Sequence, residues 1–176
     1  MHHDQQKCAQ MHNDKHLVKM ILEYAQLLST SHRVLDGIQV TEKSKTNRNV
    51  KRWKLADARD TNIYTATHIN HPSAVWARSG SDNYAWLVQL WLELMSEYTY
   101  RYGKQHACER LIPDLTPLPT NIPNRPFSEP TPAMPEELRI PGDSLASYRN
   151  YYINGKKHLA SWKGKTNSRE IPDWYK

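Results

Sequence analysis

Residues 81–103 read SDNYAWLVQLWLELMSEYTYRYG. Tyr84, Leu87, Val88, Trp91, Leu92, Leu94, Met95 and Tyr98 recur at steps of three and four, the repeat that lines up one face of a helix. Ser81 or Asp82 can cap the free N–H groups at its start, and Gly103 stops it. A long amphipathic helix is therefore expected over residues 81–102. A second is expected from Asn13 or Asp14 to Asp36. There Leu17, Met20, Ile21, Tyr24, Ala25, Leu28 and Leu35 give the apolar stripe and Gly37 the stop. Two such helices set the frame, and the fold class they imply is all-α, a single domain over residues 1–176 with about three main helices.

The third helix is expected over roughly residues 143–160, opened by Pro141, Gly142 and a capping Asp143 or Ser144. Shorter helical pieces are expected at Ser73–Arg78, after Pro72, and at Cys108–Leu115. Residues 1–13 read as an extended lead-in or a short helical turn. Residues 38–60 are polar and basic and are expected to form a loop without strands. Residues 113–135 hold eight of the eleven prolines, so they are expected to run extended over the surface.

The composition narrows the partners. The 176 residues carry a net charge of +6, with six Trp and ten Tyr beside one Phe. Trp and Tyr keep a polar edge and suit stacking as well as burial. Lys43, Lys45, Arg48, Lys51, Arg52 and Lys54 form one run without an acid. Arg149, Lys156, Lys157, Lys163, Lys165 and Arg169 form another. Such runs attract phosphate backbones, although each also reads as an ordinary solvated surface. Cys8 and Cys108 are the only cysteines, read as free thiols in a cytoplasmic protein. No apolar run is long enough to span a membrane, so no membrane partner is expected. Walker, GxGxxG and GxSxG motifs are absent, which leaves nucleotide hydrolysis and the common hydrolase chemistries without support.

Three constellations remain. On the first helix His16, Lys19, Glu23, Gln26 and Thr30 fall at steps of three and four, with Arg33 at the end of the row and Lys15 beside it. An imidazole, an amine and a carboxylate in one row can do acid–base work, although Lys19 and Glu23 alone make an ordinary surface ion pair. The second is Thr67, His68, Asn70 and His71, with Arg78 seven residues on. These imidazoles suit hydrogen bonds to backbone or phosphate. A zinc site built with Cys8, His12 and His16 is a minority reading, because no strong metal signature is present, and no metal or organic cofactor is expected. The third is SYRNYYINGKKH, residues 147–158, where Tyr148, Arg149, Tyr152 and Lys156 combine stacking with phosphate neutralisation.

Asp14-Lys15-His16-Leu17, followed by Glu23-Tyr24, resembles the first helix of the phage pyrimidine-dimer DNA glycosylases of the endonuclease V type. Glu97, Arg101-Tyr102-Gly103 and Tyr148-Arg149-Asn150-Tyr151-Tyr152 extend the likeness weakly. CAQMHNDKH, KMILE and THINHPSAVWAR look closer still to a set of largely uncharacterised phage and bacterial proteins. The family likeness implies an all-α fold and duplex DNA, damaged or intact, as partner, in bacterial host cytoplasm if the chain is phage-encoded. It implies base excision through an imine to a protein amine. Glu23 would stabilise the sugar cation, His16 would contact the sugar, and Gln26 and Arg33 would face DNA. The family's amine belongs to a small residue exposed by loss of methionine. Here the bulky His2 follows Met1, so the equivalent amine is not evident: a different start of the chain, Met1 itself, Lys15 or Lys19 would supply it, or the glycosylase chemistry is lost or repurposed. Two other readings stand beside this one: an enzyme that modifies a nucleobase or nucleotide on the same scaffold, and a DNA-binding protein without catalysis.

Overall fold

The computed structural model describes all of residues 1–176. Helix α1 spans Gln5–Met11, capped by the Asp4 carboxylate, which accepts from Lys7 N–H at 2.8 Å. Helix α2 spans Asp14–Asp36. Asn13 caps it by accepting from His16 N–H at 2.9 Å. Helices α3 (Arg59–Asn62) and α4 (Pro72–Arg78) follow, then α5 over Ser81–Tyr102. Gly103 sits at φ 66°, the left-handed conformation that ends a helix without a Cβ clash. A 3-10 turn at Ala107–Leu111 leads into α6, Ile112–Leu115. No helix or strand is formed between there and a 3-10 turn at Glu136–Leu138, as the prolines dictate.

The all-α expectation is overturned by residues 38–54. Strands β1 (Ile38–Lys43) and β2 (Asn49–Lys54) pair antiparallel, with Ile38 opposite Lys54 and Lys43 opposite Asn49. The fold is mixed α/β. The predicted loop hides a period of two: Ile38, Val40 and Glu42 on one strand, Val50, Arg52 and Lys54 on the other, with β-branched residues between the charges. Ser44 to Arg48 close the hairpin, helped by Asn47 at φ 59°.

The third helix is shorter than its pattern suggests. Helix α7 covers only Ser144–Asn150, capped by Asp143, which accepts from Ala146 N–H at 2.8 Å. One π-helical turn, Tyr151–Gly155, replaces the next stretch, and a 3-10 turn at Lys157–Leu159 follows. A Cβ at Gly155 would lie 2.6 Å from the Tyr151 ring, so this widened turn requires glycine.

Packing divides the chain into two compact units. The first comprises Met1–Glu23, Gln89–Glu109 and Ser128–Lys176. Its core is Leu17 and Ile21 from α2, Leu90, Trp91 and Leu94 from α5, and Tyr152 and Trp162 from the C-terminal segment. The Trp91 indole N–H donates to the Ile21 carbonyl at 3.0 Å, which fixes α5 against α2 within this unit. The second comprises Tyr24–Val88 and Arg110–Phe127, with Leu28, Ile63, Ala77, Tyr84, Leu87 and Leu115 buried.

Candidate functional site

In the first unit the opening row of α2 meets the aromatic-basic segment. The His16 imidazole Nδ1 lies 2.8 Å from the Tyr152 hydroxyl, across 136 residues of sequence. The rings stand edge to face at 5.1 Å. Tyr152 is buried by the π turn, while His16 is half-buried. Burial, together with the nearby ammonium groups of Lys156 and Lys19, lowers the His16 pKa to about 4, against the opposing pull of the Glu23 carboxylate. His16 is therefore neutral at pH 7. Two candidate segments thus converge on one imidazole.

Around it lie the other candidates of this unit. Lys19 and Glu23 form an ion pair of 3.0 Å, with Lys19 exposed and Glu23 half-buried. Lys15 is exposed. The Lys156 ammonium stands 5.0 Å from the centroid of the Tyr151 ring. Arg149 donates from Nε and Nη2 to the Met1 carbonyl at 3.2 and 3.0 Å, and its guanidinium stacks on Trp174. Tyr148 is largely buried, which raises its phenol pKa. The α-amino group of Met1 is desolvated, and burial, aided by Arg149, lowers its pKa to about 5 against the opposing effect of Cys8. An amine in that state carries a free lone pair at neutral pH.

Sequence reasoning missed what holds this site. Arg101 is fully buried. It donates to Glu97 at 2.7 Å, to the Gln10 and His12 carbonyls at 2.8 and 2.9 Å, and to Asp14 at 3.0 Å. Arg169 adds a second contact to Glu97 at 2.9 Å. Asp14 in turn accepts from the Ser161 hydroxyl and the Lys163 N–H. The Asp14 of the Asp-x-His run is thus a structural tie. It locks the C-terminal segment to the start of α2, two residues from His16. The advance signals were the spacing of Glu97 and Arg101, four apart on a mostly apolar helix, and their place in the likeness noted above, neither of which pointed to a buried network.

The second unit holds the remaining candidates. Arg33 is 4 % exposed, and its guanidinium is committed inside the protein. It binds Asp60 Oδ1 at 2.7 Å and the carbonyls of Trp53, Asp60, Ile63 and Tyr64. It anchors the hairpin and α3, and no donor is left for DNA. Gln26 is half-buried. His68, Asn70 and His71 are exposed; His71 caps α4 by accepting from Ser73 N–H at 3.2 Å. Thr67 exchanges hydrogen bonds with Thr30. Arg78 Nη1 is buried without a hydrogen-bond partner.

A second buried network ends α2. The Tyr84 hydroxyl donates to the Leu115 carbonyl at 2.7 Å and lies 2.7 Å from His32 Nε2. Its one proton is used, so it accepts from His32 Nε2–H. His32 Nδ1 then accepts from Arg59 at 2.7 Å, and Arg59 also binds Asp36 at 2.8 Å. This arrangement needs a neutral His32. No group of three or more His, Cys, Asp or Glu is placed to hold a metal ion; His12, from the zinc reading, instead puts Nδ1 on the Cys8 carbonyl at 2.8 Å. No helix is long and apolar enough to cross a membrane.

The buried histidines make the fold acid-sensitive. Their pKa values are lowered to about 3 for His12 and about 4 for His16 and His32, chiefly by burial. The folded state then binds fewer protons than the unfolded chain, so stability falls as pH drops below about 6.5. His12 and His32, both fully buried, each contribute up to about 2 kcal/mol of loss by about pH 5, and the half-buried His16, screened by solvent, contributes less. The urea midpoint is expected to fall clearly between pH ~7 and ~5; an unchanged midpoint would contradict the neutral assignments.

Compared with protein-family models, with curated proteins and with solved structures, the chain matches none. The site's own chemistry has to carry the functional reading.

Proposed function

We propose that the protein is a DNA glycosylase and abasic-site lyase that works through an imine, with the α-amine of Met1 as nucleophile and Glu23 stabilising the sugar cation. The supporting observation is the desolvated Met1 amine, held through its carbonyl by Arg149, in the same unit as His16, Glu23 and Tyr152. Imine formation needs an uncharged amine. Lys19 is held in an ion pair with Glu23 at 3.0 Å and Lys15 is exposed, whereas Met1 is buried. The amine attacks C1′ of the sugar, and the base leaves with the bonding electrons; the nitrogen then gives up its proton, the C1′–O4′ bond breaks and O4′ takes up a proton, which opens the sugar to the imine. The resulting imine makes the C2′ proton acidic, and its loss expels the 3′ phosphate. His16, neutral at pH 7 and oriented by Tyr152, is suited to accept that proton. Lys156 and Arg149 are the cations of this unit proposed for phosphates.

Incubation with a duplex carrying one abasic site tests this. The reading expects strand cleavage by elimination without added metal. An intact strand, in a preparation that binds the same duplex, counts against it. A non-catalytic DNA-binding protein is the second reading, favoured by the Lys19–Glu23 pair, which ties up the carboxylate the chemistry needs.

A further inference from the structure

The β1–β2 ribbon takes no part in the chemistry above. Alternate residues of a strand share a face. One face carries Val40, Glu42, Val50 and Arg52, all half-buried, and Glu42 pairs with Lys54 there at 3.1 Å. The other face carries Gln39, Thr41, Lys43, Asn49 and Lys51, all exposed, with Thr41 opposite Lys51 and Lys43 opposite Asn49, and the half-buried Trp53 opposite Gln39 at its base. The turn adds exposed Lys45 and Arg48. Lys54 has a carboxylate partner, but Lys43, Lys45, Arg48 and Lys51 have none. The ribbon is therefore a narrow, two-stranded projection with one free face of amides, a hydroxyl and uncompensated cations.

We infer that this ribbon enters the major groove of duplex DNA. Lys43, Lys45, Arg48 and Lys51 neutralise phosphates along the groove, and Gln39, Thr41 and Asn49 face base edges. The inference rests on the DNA reading above and says how the duplex is held. Six residues extend for about 20 Å, and a groove about 12 Å wide admits a two-stranded ribbon. The deep, narrow major groove of A-form RNA does not. A membrane surface fits poorly, because the exposed apolar residue, Ile38, is at the base of the ribbon and the tip is wholly polar. Asn and Gln amides are the side chains that pair with adenine edges in that groove.

The test compares the wild type with the quadruple variant Lys43→Gln, Lys45→Gln, Arg48→Gln and Lys51→Gln. All four residues are exposed, so the far-UV spectrum and urea midpoint serve as a check on folding. Affinity for a fluorescent duplex is measured from about 50 to about 200 mM salt. Four lost phosphate contacts lower the slope of log affinity against log salt by about 3.6. The wild type therefore loses roughly 100-fold more affinity than the variant over that range. Methylation of guanine N7, which blocks the major groove, is expected to weaken the wild type more than the variant. Equal slopes for the two proteins overturn the inference, and so does indifference to N7 methylation. Adduct formation on a single-stranded abasic oligonucleotide is measured in parallel. A wild type that binds the duplex through these residues but forms no adduct keeps the ribbon and loses the lyase reading. A wild type that binds no duplex overturns both.

Discussion

Arg101→Met is expected to lower the unfolding free energy by about 3–5 kcal/mol, the usual cost of removing one partner from a buried charge network. Arg101 has no exposed surface and serves four acceptors from three parts of the first unit. Without it, the Gln10 and His12 carbonyls lose their donor at the turn between α1 and α2. Glu97, 4 % exposed, is left with Arg169 alone, whose side chain is partly in solvent. Methionine fills the stem but supplies no donor. A urea titration followed by far-UV circular dichroism reads the change directly. A loss below about 1 kcal/mol would mean that the network is a bystander to folding.

Glu23→Gln is expected to do the opposite: little to the fold and much to the chemistry. The Lys19–Glu23 pair is exposed, with side chains 64 % and 40 % accessible, so its loss costs at most about 0.5 kcal/mol. The amide keeps the shape but carries no negative charge for the developing sugar cation. Removing a group that stabilises transition-state charge lowers turnover by roughly 100- to 1000-fold. Cleavage of abasic duplex should fall by that order while duplex affinity stays within about twofold. A variant that cleaves as the wild type does would remove Glu23 from the mechanism and leave the carboxylate a surface partner of Lys19.

The two long helices were legible because their apolar stripes run unbroken between a capping residue and a glycine, and local rules suffice for that. The hairpin was not. Its strands are mostly polar, its five-residue connection lacks a two-residue turn signature, and its weak alternation shows only once Arg33 and Asp60 anchor its base. The C-terminal helix was overextended because Asp143 marks its start and no proline follows before Pro172 to mark its end, whereas the Tyr151 ring lies close against Gly155 in the widened turn. For the site, the sequence showed His16 and the Tyr148–Lys156 segment separately. That they meet is a tertiary fact. The same holds for Arg33: its place at the end of a polar row suggested a DNA contact, while its carbonyl partners are 20 to 31 residues away. Spacing reports which side chains share a helix face, but it does not report which of them a later segment will cover.

The account turns on one amine. Borohydride is added to the protein with an oligonucleotide carrying a single abasic site, and any cross-linked product is digested and mapped by mass. The account predicts a covalent adduct on the peptide that carries Met1, formed well at neutral pH because that amine is uncharged there. No adduct, in a preparation that binds the same DNA, would contradict it, and an adduct on Lys15 or Lys19 would contradict the assignment of the nucleophile.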